Sequence, residues 1–361
     1  MKETPIAALR LVNQHLAGTR LKTAKDLVEW MGAVQAQDYP MAKWALGIRL
    51  PDATDETVQL ALDRGEILRT HVLRPTWHLV AAADIGWMLT LTAPHVRSLL
   101  TSHLRALELT EKTIAHSQRV MESALAGGRH LTRTELVGEL RQANLPADPS
   151  RIVCLMMRAE LDGVVCSGRT SGKEQTYALL AERVPPTEAL PREEGLARLA
   201  RRYFASHGPA TVHDFAWWSG LPAGDARKGV ALLGPEFVSR TVEAQTYWLP
   251  GAFAGPGAVG ETVFLLPAFD EFLISYKDRT ASLAAQSRAG VITSNGIFRP
   301  VVLVNGQVAG TWKRTVKKGA LRVETELFGP AGPPTREQIE NAAAGLGRFL
   351  DAPVGIKQTT L

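Results

Sequence analysis

Apolar positions recur at helical spacing over residues 6–16, ending at Gly18, and again over 24–33, where Leu27, Val28 and Met31 share one face behind Thr23, a good N-cap. A third helical stretch opens at 52–55 and runs to Asp63, stopped by Arg64-Gly65. Residues 67–80 then change character: they are β-prone and broken by Arg74-Pro75, which predicts a two-stranded wing. Helices followed by a short hairpin is the order of a winged helix-turn-helix. The same grammar returns over 111–125, 134–143 and 150–161, followed by a hairpin over 163–177 around Gly168 to Gly172. A third round comprises 193–206, then 211–219 capped by Thr211 after Gly208-Pro209, then 225–233 and a strand pair ending at Tyr247-Trp248. The repeat is one of pattern and not of residue identity.

Beyond a Pro/Gly/Ala connector at 250–260 the pattern shifts to strands, at 262–266, 290–292, 297–304, 307–313 and 320–327. Asn305-Gly306 between apolar runs is a type I′ hairpin signal. A helix over 335–350 closes the chain. The expected fold class is therefore α+β: tandem winged helix-turn-helix modules at 1–108, 109–190 and 191–250, then a small β-barrel with its closing helix at 261–361.

A chain of 361 residues that is 45% hydrophobic has enough apolar material for several cores. Its net charge of +5 favours a polyanionic partner, and because the basic residues are dispersed, any such surface must be assembled by folding. Cys154 and Cys166 are the only cysteines and are not closely spaced, so neither a disulfide framework nor a zinc knuckle is indicated. The start of the chain has no apolar signal core and no run approaches membrane-spanning length, which makes cytoplasm the expected compartment. Gly255 to Gly260 matches G-x-G-x-x-G but contains Pro256 and leads into a strand, so it lacks the helix N-terminus that dinucleotide binding requires. No cofactor and no metal is expected.

The chemistry-bearing residues fall in four groups. Gln35 and Gln37 lie two apart in Val34 to Asp38. On an ideal helix such a pair projects to nearly opposite faces, whereas on an extended segment it shares one, and Tyr39-Pro40 favours a break there. Spacing alone is equally served by two exposed glutamines at a helix end. Asp38 is the nearest carboxylate, either a rival base or a cap for the segment after Pro40; Trp44 and Arg49 either pack or, for the aromatic, stack on a base. The hairpin carries His71, Arg74, Trp77 and His78, which suits phosphate and minor-groove contact, although any one of them alone fits a structural role. Lys277 and Arg279 flank Asp278 and are set either for a phosphate or for an internal salt bridge. Arg299, Lys313, Arg314, Lys317 and Lys318 surround the Asn305-Gly306 hairpin, a groove probe or a solvated, lysine-protected edge.

The Gln35-Ala36-Gln37 segment with the hairpin from Arg69 to Val80, together with Phe264 to Phe272 and Tyr276 to Arg279, resembles the AlkZ/YcaQ family of winged-helix DNA glycosylases. The resemblance extends over nearly the whole chain. It implies that Gln35 and Gln37 are the catalytic Gln-x-Gln pair; some members carry Asp at the second position, and Gln37 here points away from strong general-base catalysis. It also implies that Arg74 or His71 faces DNA or the lesion pocket; Trp77, Lys277, Arg279, Lys313 and Arg314 are further DNA contacts expected from their charge and place, with Asp38 and Trp44 as auxiliaries. The expected activity is monofunctional excision of cationic N7- or N3-alkylpurines, including bulky or crosslinked adducts, from double-stranded DNA in base excision repair, by a monomer. An alkylated purine leaves as a neutral base, so positioning and electrostatics suffice. The rival readings are a winged-helix transcription regulator, which has no use for the Gln pair, and a resistance protein that sequesters a genotoxic compound.

Overall fold

The computed structural model describes residues 6–186, 190–252, 262–317, 319–330 and 332–360; the Gly255 to Gly260 loop and Lys318 lie outside them. The first stretch runs α1 (Ile6–Asn13), α2 (Ala24–Met31), β1 (Val34–Gln35), α3 (Tyr39–Gly47), α4 (Asp55–Asp63) and the hairpin β2 (Ile67–His71)–β3 (Trp77–Ala81). Thr23 caps α2 as its residue type requires, its side chain accepting from the Asp26 amide. The break expected before Tyr39-Pro40 is present, since α2 ends at Met31, and a new helix begins there: Asp38 caps α3, and proline sits in the first turn, where its missing N–H is no loss.

A helix absent from the sequence expectations follows, the 22-residue α5 (Ile85–Ala106). Pro94 lies inside it and reads as a breaker, but Trp87, Met88, Leu91 and Val96 bury one face, and that packing overrides the local signal. Next come α6 (Glu111–Leu125), β4 (Leu131–Thr132), α7 (Arg133–Gln142), α8 (Pro149–Leu161), β5 (Val165–Ser167), β6 (Thr176–Leu179) and α9 (Leu180–Arg183). These are followed by α10 (Arg192–His207), α11 (Val212–Ser219), α12 (Ala223–Ala231), β7 (Phe237–Val242) and β8 (Gln245–Pro250). In all three stretches helices precede a short antiparallel hairpin, and the first two hairpins gain a third strand, giving the orders β1-β3-β2 and β4-β6-β5.

The last stretch comprises β9 (Val263–Leu266), α13 (Glu271–Ile274), α14 (Arg288–Val291), β10 (Val301–Val304), β11 (Gln307–Lys317), β12 (Ala320–Leu327), α15 (Pro333–Phe349) and β13 (Val354–Thr360). Two expectations fail here. Residues 290–292 are not a strand: α14 takes most of them, and Ile292 makes only an isolated bridge to Phe298. The barrel is not closed. The sheet is open, in the order β13-β12-β11-β10-β9, with β9 and β13 as its edges. Strand β13 pairs parallel to β12, so the chain must cross over between them, and α15 makes that crossing. Helix α15 then covers one face, Ile339, Ala343, Leu346 and Phe349 meeting Leu265, Val302, Trp312 and Val323, which removes the need for closure.

That same core contains Leu27, Val28, Met31 and Trp44 of α2 and α3, so the start and the end of the chain fold as partners. A second core joins the β2–β3 hairpin and α5 to α10, α11 and α12, while the α6–α8 stretch keeps a core of its own. The molecule is a mixed α+β protein in which the N-terminal hairpin is enclosed between the other parts.

Candidate active site

Helix α2 stops at Gly32, whose φ of +77° is strained for other residues, and the chain turns directly into β1. There Gln35 pairs with His78 of β3. The extended backbone carries on through Ala36, whose amide donates to Trp77 O (2.7 Å) and whose carbonyl accepts from Arg69 Nε (3.0 Å). The two glutamines share a segment but not an environment. Gln35 is only 5% exposed, whereas Gln37 is exposed and its side chain has no hydrogen-bond partner among the described residues.

Gln35 is held twice. Its backbone amide donates to Glu271 Oε1 (2.6 Å), and its side-chain Oε1 accepts from the Arg74 guanidinium (2.6 Å). Glu271, on the first turn of α13, is 1% exposed; its other oxygen accepts from Trp218 Nε1 (3.1 Å) and from the Ser275 hydroxyl. Burial alone pushes its carboxyl up, but His207, the Ser275 hydroxyl and the Gln35 amide outweigh that and bring it down to about 2. His207 Nε2 stands 3.6 Å away, an electrostatic neighbour rather than a hydrogen bond. A carboxylate therefore lies ionised directly behind Gln35. His78, fully buried across the strand, is pushed down to about 3, by burial first and then by the Arg74 charge, so its imidazole is neutral.

The hairpin is enclosed rather than presented. His71, expected to face DNA, is 3% exposed and its Nδ1 binds Glu160 of α8. The same carboxylate takes the Trp77 indole N–H (3.4 Å), and the His71 and Trp77 rings lie 4.6 Å apart. Arg69 stacks over Trp77 at 4.3 Å and also faces Tyr39 at 5.5 Å. On the other side Gly220, at the end of α11, comes so close that a side chain there would collide with Leu73 O and press on Arg74 Cγ.

The segment after β9 ties these parts together. Asp270 forms a two-pronged pair with Arg49 (2.9 and 2.8 Å), which also holds Gln14. Tyr276 donates to His207 O (2.7 Å), and the amides of Lys277 and Asp278 converge on Asp214 Oδ1. Asp278 does not orient Arg279; it accepts from the Thr280 amide and hydroxyl. Trp44, expected as a stacking platform, is in the core, its indole donating to Leu265 O (2.8 Å) against Phe349. Asp38 accepts from the Met41 amide (3.1 Å) and so acts as the cap of α3. A cavity of about 820 Å³ opens between α5, α6 and α8; most of its charged lining is paired, Arg158 with Glu111, Arg97 with Asp162 and Glu108 with Arg151, and none of the residues above reaches it.

The model of the family described as DNA glycosylase AlkZ-like matches residues 28–349, a span that includes the Gln-x-Gln segment, the hairpin and the Asp270 to Arg279 strut. The chain belongs to the AlkZ-like DNA glycosylase family. It is an enzyme that acts on DNA, hydrolysing N-glycosyl bonds. A relative from Streptomyces sahachiroi, named an interstrand DNA cross-link repair glycosylase, is 27% identical over 335 residues, covering 85% of this chain and 86% of that one. The solved structure of Streptomyces sahachiroi DNA glycosylase AlkZ shares the fold, with a TM-score of 0.80 at 24% identity over 98% of each chain.

The remaining cations of this glycosylase sort into two sets. Lys277 is exposed and lies over Trp217 (4.7 Å), while Arg279, held to Leu273 O (2.9 Å), lies between Trp217 and Phe298. Burial, and then the charges of Arg288 and Arg74, bring Arg279 down to about 10, so these cations crowd one region beside the hairpin. Lys313 stands exposed on β11, paired with Glu324 (2.9 Å). Arg314, next to it, is lowered by burial against the opposing pull of Asp38 and Asp55. The Asn305-Gly306 turn is not the centre of this basic group: its glycine packs on Ala7, and the cations follow β11 away from it. Among the described residues no group of His, Cys, Asp and Glu has the makings of a metal site. Among the described residues no helix is long and apolar enough to cross a membrane. Glu160 carries no local sequence signal, and Glu271 lies within the Phe264 to Phe272 resemblance without being singled out by it; they matter because of partners 89 and 236 positions away.

Proposed function

We propose that this glycosylase is monofunctional and excises cationic N7- or N3-alkylpurines from duplex DNA, crosslinked adducts included, with Gln35 and Gln37 as its catalytic pair. The observation that carries the reading is the asymmetry of the pair: Gln35 is immobilised by Arg74 and Glu271, and Gln37, two residues further along the same segment, is exposed with no side-chain partner among the described residues. The C1′–N9 bond breaks with its electrons passing to the purine, which cancels the charge of the alkylated ring; water adds to C1′ and gives its proton to solvent. A cationic leaving group needs no acid, and the ionised Glu271 favours the positive charge that develops on the sugar. Lys43 is unsuited as an amine nucleophile, because it is buried and paired with Asp55 (2.7 Å) and Gln59 (3.2 Å). Support for crosslinked substrates comes from the name of the Streptomyces sahachiroi relative.

In this reading the enzyme works as a monomer, the units at 1–108, 109–190 and 191–250 act as winged helices around the duplex, and the sheet domain at 261–361 closes over it. Lys277, Arg279, Lys313 and Arg314 meet phosphates. The test is incubation with a duplex containing N7-methylguanine, scoring abasic sites after alkali and trapping with borohydride. Free base, an intact abasic strand and no trapped adduct are expected; a covalent adduct, or efficient release of uracil, would overturn the reading.

A further inference from the structure

The Gln35 side chain is fixed in one sense by the chemistry of its neighbour. A guanidinium has only donors, so the atom of the Gln35 carboxamide that faces Arg74 at 2.6 Å must be the oxygen. The nitrogen is then the free end of the amide, and it has no partner among the described residues. The backbone of the same residue is fixed independently by Glu271, itself held by Trp218 and Ser275. Arg74 is positioned in turn: Gly220 leaves room for Leu73 and Arg74 against the end of α11, and the Arg74 Nε is buried. An arginine engaged with a protein amide in this way is poorly placed to meet a phosphate.

We propose that Arg74 is a positioning residue that orients Gln35 so that it acts through its Nε2 as a hydrogen-bond donor to the nucleotide, leaving the carboxamide oxygen of Gln37 to hold the attacking water. The proposal rests on the reading of Gln35 and Gln37 as the catalytic pair and divides the work between them. Without Arg74 the carboxamide is free to turn about its terminal torsion, and its two ends exchange. The donor is then in place only part of the time, and the loss falls on the bond-breaking rate, while the affinity for duplex DNA stays as it was.

The test uses the full-length enzyme and an N7-methylguanine duplex, with single-turnover rates and DNA dissociation constants measured separately. Arg74→Met, which keeps the length and removes the donors, is expected to slow base release several-fold and by no more than Gln35→Ala does, with DNA affinity unchanged. Arg74→Lys, which restores one donor, is expected to recover part of the rate. Gln35→Glu puts an acceptor where Nε2 stands and should be as damaging as Gln35→Ala. Adding Arg74→Met to Gln35→Ala should cost nothing more, because the residue being positioned is gone. Multiplying losses in that double variant, a weakened affinity with an unchanged rate in Arg74→Met, or an active Gln35→Glu each overturn the proposal. A fully active Gln35→Ala instead overturns the underlying catalytic assignment.

Discussion

The β2–β3 and β11–β12 hairpins both carry polar and charged side chains, yet they occupy opposite surroundings. In β2–β3, His71, Thr70 and His78 are buried, Glu160 comes in from α8, Gly220 from α11, and Arg74 is turned inward to Gln35. Along β12 and the first part of β11 buried and more exposed residues alternate: Trp312, Leu321 and Val323 face the core, and Lys313 and Arg322 face solvent, while the end of β11, Lys317 included, is exposed throughout. The difference lies in where the charge is compensated. A buried cation or imidazole must find a protein partner or stay neutral, because desolvation is costly, and the result is rigidity. An exposed lysine is compensated by water and salt, and remains available to a phosphate.

Removing Glu271 should produce the largest effect and separate the two regions most clearly. Glu271→Ala strands three buried donors, the Gln35 amide, the Trp218 indole and the Ser275 hydroxyl, and should cost about 3–5 kcal/mol of stability, the range for breaking a buried charge network. Glu324→Ala, which removes the partner of exposed Lys313, should cost less than about 1 kcal/mol. Urea unfolding of both variants checks this, and equal shifts would erase the distinction.

The enclosed hairpin should also be the acid-sensitive one. The unfolded chain protonates His78 below a pH of about 6.5, whereas the folded protein resists until about 3, so stability falls as pH drops through that window. The slope from this one residue is at most about 1.4 kcal/mol per pH unit. Glu271, lowered to about 2, adds a second loss only below about 4.5, where the unfolded chain takes up its proton first. His78→Gln should flatten the dependence between pH 7 and 5, measured by urea midpoints; an unchanged slope would place the titrating group elsewhere.

The smallest expected effects belong to the exposed strand. Lys313→Ala or Lys317→Ala should weaken duplex binding modestly and reduce the salt slope of log affinity by about 1 for each phosphate that is no longer neutralised. Arg74→Met should leave that slope as it is. A reduced slope for Arg74→Met alone would reverse the roles assigned to the two hairpins.

The local elements of this fold are largely legible in its residues. Thr23 and Thr211 cap the helices they precede, the chain breaks at Arg74-Pro75 within a hairpin, and Asn305 and Gly306 both take the positive φ (51° and 79°) of a type I′ turn. The failures share a cause, tertiary packing overriding a local signal. Pro94 is carried inside α5 by the face it buries. An open sheet and a closed one have the same alternation of residues, and only the α15 crossing to β13 distinguishes them. In the site, the Gln pair is marked by its resemblance to a family, but a cluster of His, Arg and Trp in a hairpin looks alike whether it meets DNA or a carboxylate from another helix. Glu160 and Glu271, the two that decide the matter, come from far along the chain.

The most direct measurement is the single-turnover rate of N7-methylguanine release by the wild-type enzyme, Gln35→Ala, Gln37→Ala and the double variant, with duplex affinity determined in parallel. Each single replacement should lower the rate by about 10²-fold or more, the usual scale for losing one preorganised donor or water ligand, while every variant binds the duplex within about threefold of wild type. A double variant that releases the base at the wild-type rate, or single variants whose only defect is weaker DNA binding, would contradict catalysis by the Gln35–Gln37 pair.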